Sequence, residues 1–152
     1  MTRRLRQLLV VLVWRLHRWI YRRSGGRLGG RLVGMPVLLL TTVGRRTGRR
    51  HETALTYLRE AERLVVIASN GGAPRHPEWF RNLQVHPQAE VLIGGRRMTV
   101  QAREATGPER ERLWARLVQA YRGYAAYQVR TSRRIPVVIL SPDGPSPTPV
   151  PR

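Results

Sequence analysis

The sequence predicts a mainly β, α+β domain: a small barrel of antiparallel strands with helices packed outside it. Three observations carry this. Short apolar stretches rich in Val, Ile, Leu and Thr recur at 37–43, 51–58, 64–68, 90–93, 98–103 and 136–140. Three of the five connections between these stretches are glycine-rich or charged turns too short for a crossover helix, which favours hairpins over a parallel sheet. The chain has 152 residues, enough for one domain with its own core.

The elements follow in order. In the first segment, 1–31, Leu5, Leu8, Leu9, Leu12, Leu16, Trp19 and Ile20 fall at helical spacing on one face, with Arg4, Arg15, Arg18 and Arg22 opposite. The longest unbroken apolar run, Leu8 to Trp14, is far short of the ~20 residues a membrane span needs. Arg15, His17 and Arg18 stand where a signal peptide would place small residues, which argues against export. An in-plane amphipathic helix fits best, with basic flanks for anionic lipid and Leu and Trp for the interface. A helix packed on its own domain is the other reading. The pairs Gly25-Gly26 and Gly29-Gly30 then end the helix and form a connector.

The second segment, 32–141, holds the strands. Val37 to Val43 reads as a buried strand, Gly44 to Arg50 as a turn, and His51 to Leu58 as a second strand. Arg59 to Arg63 reads as a hairpin turn leading into a third strand, Leu64 to Ala68. Asn70 to Pro74 is a loop, and Pro77 opens a short helix to Val85. Glu90 to Ile93 and Met98 to Arg103 pair around Gly94-Gly95. A longer helix starts at Pro108, with Glu109 and Glu111 in its first turn, and runs to about Tyr121 or beyond. Pro136 to Leu140 is the last strand. The third segment, 142–152, is a proline-rich tail expected to be disordered.

Composition narrows the function. There is no cysteine, which excludes disulfides, thiolate metal sites and cysteine nucleophiles. The four histidines lie on separate predicted elements without ligand spacing, so no metal site is expected. No Gly-x-Ser-x-Gly and no Gly-x-Gly-x-x-Gly occur, which removes support for serine hydrolysis and for a Rossmann site. The net charge is +19, carried by arginine alone among the two long basic residues, and nine of the arginines fall within the first 31 residues. The rest of the chain still carries +10, which implies an anionic partner: nucleic acid, lipid or cofactor.

The turn Gly44-Arg45-Arg46-Thr47-Gly48-Arg49-Arg50 is the most specific element. It places four arginines and two glycines at the tip of a strand pair. Glycine lets the backbone curve around an anion, and arginine offers forked donors to a phosphodiester. Downstream, Trp79 and Asn82 are three apart on the short helix and share a face. Tyr121, Tyr124 and Tyr127 are likewise spaced by three; as neutral phenols of pKa about 10 they could wall a flat substrate and donate a hydrogen bond. A packing stripe is the alternative.

Leu38 to Gly48 resembles the opening signature of the deazaflavin-dependent nitroreductase family. So do Ala68-Ser69-Asn70-Gly71-Gly72, Pro77-Glu78-Trp79-Phe80-Arg81-Asn82-Leu83, the glycine connector at 25–30, and the tyrosine series before Ile135-Pro136. The resemblance runs in order from about Tyr21 to Pro142. It implies a split β-barrel of the pyridoxamine-phosphate-oxidase type that binds coenzyme F-420, a deazaflavin with a ribityl-phosphodiester arm and an oligoglutamate tail. By position, Arg45, Arg46 and Thr47 would hold the phosphate, and Arg50 or His51 would reach the phosphate or tail. Ser69, Asn70 and Gly71 would pass beside the ring, where some relatives carry lysine in place of Asn70. Trp79 and Asn82 would flank the cofactor.

The implied activity is hydride transfer from reduced F-420 to a flat, electron-poor acceptor, a quinone or nitro-aromatic. Tyr124 is the best candidate for orienting the acceptor, with Tyr121, Tyr127 and Ser69 as further catalytic candidates. The implied location is cytoplasmic, with the N-terminal helix on the inner face of the membrane. Three alternatives stand beside this reading: an FMN-dependent relative of the same barrel, a cofactor carrier without turnover, and a basic nucleic-acid-binding module.

Overall fold

The structure is a computed structural model that describes residues 31–144 and, before them, Leu12, Arg15, Leu16 and Trp19. The remaining positions of the expected N-terminal apolar face, the glycine connector and the tail from residue 145 lie outside the described residues. Leu12, Arg15, Leu16 and Trp19 are helical and exposed.

Among the described residues eight strands form one antiparallel sheet: β1 (Arg31–Leu32), β2 (Met35–Val43), β3 (Arg50–Thr56), β4 (Leu58–Glu60), β5 (Arg63–Ile67), β6 (Gln88–Ile93), β7 (Arg96–Glu104) and β8 (Val137–Pro142). Their order is β1-β2-β6-β7-β8-β5-β4, with β3 on the other edge of β2. Within residues 31–144 three α-helices accompany them: α1 (Glu78–Val85), α2 (Gly107–Ala120) and α3 (Gly123–Val129). This is the expected strand-rich barrel with external helices.

The apolar runs are continuous because two cores share the same strands. On β5 and β8, Leu64, Val66, Val138 and Leu140 point inward and meet Leu38 and Leu40 of β2 and Val91 of β6, while Trp79, Phe80 and Leu83 of α1 close the end. The intervening Val65, Ile67, Val137 and Ile139 point outward, where Leu113 and Leu117 of α2 and Tyr124 of α3 cover them. A strand side chain alternates between faces, so only apolar residues at every position satisfy both cores. Leu113 and Leu117 are four apart, one helical turn, and both are fully buried.

Several boundaries differ from expectation, each for a physical reason. The second strand does not run to Leu58. It ends at Thr56, opposite Val37, and the Tyr57 N–H donates to the Pro36 carbonyl at 3.0 Å. Leu58 then pairs with Val65, so Tyr57 is the corner where the chain passes between the two halves of the barrel. The turn expected at 59–63 shrinks to Ala61-Glu62, because Glu60 and Arg63 are paired strand residues. Pro77 caps α1 in extended geometry (φ −63°, ψ 151°) instead of occupying its first turn. The Asn70 loop contains a single 3-10 turn, Asn70–Gly72. The helix α3 and the two-residue β1 were not anticipated.

Candidate functional site

The arginine turn is tied at both ends by its own backbone. The Gly44 N–H donates to the Arg49 carbonyl (2.7 Å) and the Gly48 N–H to the Gly44 carbonyl (2.8 Å). Gly48 has φ +68°, the left-handed region that glycine enters freely. Gly44 is needed for a different reason. A β-carbon there would stand 2.8 Å from His51 Nε2 and 2.8 Å from Thr47 Oγ1, so the bare α-carbon lets both side chains close over the turn.

A buried amide fixes the turn to α1. Asn82 Oδ1 accepts from the Arg45 backbone N–H at 3.2 Å and from Arg45 Nη1 at 3.1 Å. Its Nδ2 donates to Thr42 Oγ1 at 3.2 Å. Asn82 is 4% exposed and Thr42 fully buried, so this amide is a structural bolt. Arg45 Nη1 also meets Glu78 Oε2 at 2.6 Å. That hydrogen bond holds the Glu78 carboxyl below the usual range, against the opposing effect of desolvation.

Between the turn and α1 opens a cleft of about 640 Å³. The turn contributes Gly44, Arg45, Arg46 and Thr47, and β3 contributes His51, Glu52 and Thr53. The loop before α1 adds Asn70, Arg75, His76 and Pro77, and the helix adds Glu78, Trp79 and Asn82. The lining residues are therefore mostly polar and rich in arginine, with Trp79 and Pro77 adding apolar surface. A flat ring bearing an anionic arm meets its chemical requirements in such a space.

The loop is held from behind. Asn70 (φ +47°) donates from Nδ2 to the Arg75 carbonyl at 3.0 Å. Gly72 has φ +79°, and a β-carbon on it would lie 2.6 Å from the Tyr127 carbonyl oxygen. Here α3 presses directly on the loop backbone, which only glycine permits.

Of the residues expected from sequence, the structure brings Arg45, Arg46, Thr47, His51, Asn70, Trp79 and Asn82 to one cleft. Others lie apart from it. Arg50 points to Glu90 on the sheet at 3.2 Å, and Gly71 is exposed and not among the residues lining the cleft. Ser69 turns its carbonyl toward Arg133, at 2.7 Å. The three tyrosines do gather, with ring centroids 5.1–6.3 Å apart, but in the outer core under α3. Tyr124 is 4% exposed and shares a 2.6 Å hydrogen bond with Thr56 Oγ1. Burial pushes its phenol up, partly offset by Thr56. The Tyr121 and Tyr127 hydroxyls are 3.4 Å apart, and that contact, with burial, pushes Tyr127 up to about 12. Tyr124 and Tyr127 are therefore neutral at pH 7.

Sequence reasoning missed Arg75, His76, Glu52 and Thr53. For Thr53 a signal existed: strand alternation puts it on the same face as His51. For Arg75 and His76 there was none, because the fold of their loop is set by distant residues.

Comparison with known proteins decides the family. Residues 13–142 match the model of the F420H(2)-dependent quinone reductase family. The chain belongs to this family. An F420H(2)-dependent quinone reductase of Mycobacterium tuberculosis is 42% identical over 135 residues, covering 86% of this chain and 91% of the relative. A solved F420-H2 dependent reductase superposes with TM-score 0.64 at 38% identity, covering 70% of this chain and 94% of that one. A structure described as a pyridoxamine 5′-phosphate oxidase, from Listeria innocua, shares the fold alone: TM-score 0.52 at 18% identity, covering 71% and 84%. The barrel is thus a split β-barrel of that type. As a member of the F420H(2)-dependent quinone reductase family the protein is an oxidoreductase, and reduced coenzyme F-420 is its cofactor. The cleft fits such a group, since Arg45, Arg46 and Arg75 offer guanidinium donors to an anionic arm and Trp79 adds an aromatic ring to the lining. No helix among the described residues is long and apolar enough to cross a membrane.

Proposed function

We propose that the cleft between the Gly44–Thr47 turn and α1 binds reduced F-420 and presents it to a quinone. The observation that carries this is the convergence of Arg45, Arg46, Thr47 and His51 with Arg75, Asn70 and Trp79 around a single space. Arg46 and Thr47 hold the phosphodiester, with Arg45 fixed beside them by Asn82 and Glu78. Asn70 and Trp79 flank the ring, and His51, which lines the cleft, faces the phosphate or tail. When bound, the coenzyme supplies the hydride; the protein's contribution is alignment, charge and exclusion of water. No residue of the cleft is required as a base, because a quinone oxygen takes its proton from solvent once reduced.

Tyr121, Tyr124 and Tyr127 serve this site chiefly by packing. They hold α3 against the loop that carries Asn70, and through it set the width of the cleft. Nitro-aromatics share the planarity and electron deficiency of quinones and are the second acceptor class. An anaerobic assay of reduced F-420 against a soluble naphthoquinone and a nitro-aromatic tests the assignment. Saturable oxidation with the quinone is expected. Turnover with the nitro compound alone would overturn the quinone reading.

A second reading concerns location. Leu12, Leu16 and Trp19 follow helical spacing and are 64%, 56% and 57% exposed. With the arginines of the first segment, they support an in-plane helix at an anionic membrane face, ahead of the barrel domain at 32–141. Deleting residues 1–23 should abolish binding to anionic liposomes and spare F-420 binding; undiminished liposome binding would contradict it.

A further inference from the structure

His76 enters the cleft from the loop before α1 and packs its ring against Phe80, with centroids 5.0 Å apart. Its Nδ1 lies 3.0 Å from Nη1 of Arg133. Arginine can only donate hydrogen bonds, so Nδ1 must be the acceptor and carry no proton. A neutral imidazole then holds its single proton on Nε2, and the doubly protonated form would set Nδ1–H against a guanidinium N–H.

Arg133 is itself immobilised. Its Nε donates to the Ala73 carbonyl at 2.9 Å, Nη1 to the Ala68 carbonyl at 3.2 Å, and Nη2 to the Ser69 carbonyl at 2.7 Å. Gln128 clasps the Arg133 carbonyl from α3 at 2.8 Å. The guanidinium thus threads the strand end and loop that frame the cleft and has no rotamer to spare.

We propose that Arg133 is a positioning residue that locks His76 as a neutral Nε2–H donor, and that this donor binds an acceptor oxygen of the coenzyme in the cleft. The proposal rests on the cleft being the F-420 site. It gives the site what its arginines cannot: a directional donor without charge. The surroundings of His76 agree. Burial first, then the charge of Arg133, hold its imidazolium below the usual range; Arg81 acts in the same sense and Glu104 against it.

Two measurements test this. The first uses the cofactor-free protein: long-range proton–nitrogen NMR of the imidazole rings at pH 7. His76 should show hydrogen on Nε2 and a bare Nδ1, and Arg133→Met should admit the Nδ1–H tautomer. A proton on Nδ1 in the wild-type protein would overturn the proposal, whether or not the variant folds. The second is fluorescence titration with F-420 and with its phosphate-free ribityl deazaflavin. His76→Phe should weaken F-420 roughly tenfold, and His76→Gln, which keeps an N–H, should restore most of it. Weakening of both ligands places the acceptor oxygen on the ring or ribityl chain; weakening of F-420 alone places it on the phosphodiester or tail. Wild-type binding unaltered in His76→Phe would sink the donor role and leave the cleft assignment intact. Absence of wild-type binding would instead overturn the cleft assignment, and this proposal with it.

Discussion

Asn82 Oδ1 receives two hydrogen bonds from Arg45, one from its backbone N–H at 3.2 Å and one from its guanidinium at 3.1 Å. A single buried amide thereby sets both the path of the arginine turn and the direction of its first side chain. The same amide donates to Thr42, so Asn82→Ala leaves a buried hydroxyl and a backbone N–H unsatisfied. We expect a stability loss of about 1–3 kcal/mol in urea unfolding. F-420 affinity should fall as well, because Arg45 loses its register.

Tyr124→Phe tests where the tyrosine cluster acts. The phenol is buried on Thr56 at 2.6 Å. Its removal should lower stability by about 0.5–1.5 kcal/mol and change kcat/KM for quinone only through that loosening, by less than roughly fivefold. A fall of a hundredfold with unchanged stability would return Tyr124 to the substrate.

Gly72→Ala should sever the loop from α3. Its β-carbon would meet the Tyr127 carbonyl oxygen at 2.6 Å, and its φ of +79° is unfavourable for alanine. Neither the backbone contact nor the dihedral relaxes cheaply. A loss of about 1–3 kcal/mol is expected, measured by thermal unfolding, with weaker cofactor binding because Asn70 shifts.

Acid should weaken the fold through Glu109. Hydrogen bonding to Arg103, with a smaller contribution from Arg63, lowers its carboxyl from the ordinary 4.5 to about 2. The folded value lies below the unfolded one, so its stabilisation is complete above pH 4.5 and disappears as pH falls through about 2. Glu60 and Glu90 are lowered in the same sense by Arg112 and Arg97. Urea midpoints taken across that window should fall for the wild type and fall less steeply for Glu109→Gln. Parallel curves would contradict the linkage.

The sequence made much of this legible where the signal is local. Strand runs in β2, β5 and β8 stand out because two cores demand apolar residues on both faces. The turn at Gly44–Arg50 stands out because arginine and glycine are concentrated there. The corner at Tyr57 was illegible, since nothing in a tyrosine flanked by Thr56 and Leu58 marks a change of partner strand. The helix α3 was missed because seven residues starting at Gly123 are too few to establish a period. The tyrosine spacing announced a cluster without its location; whether such a cluster faces a ligand or a core depends on Thr56 and Met35, far away in the chain. The link from Arg133 to His76 spans 57 positions and has no local trace at all.

The central claim is that the arginine turn holds the anionic arm of F-420, and fluorescence titration tests it most directly. Arg46 is exposed at the cleft, so Arg46→Ala removes a phosphate donor with little effect on the fold. With FMN run beside it, the wild-type protein should bind F-420 saturably and in preference to FMN, and Arg46→Ala should weaken that binding at least tenfold at unchanged stability. Equal affinity in the two proteins, or preference for FMN, would contradict the account.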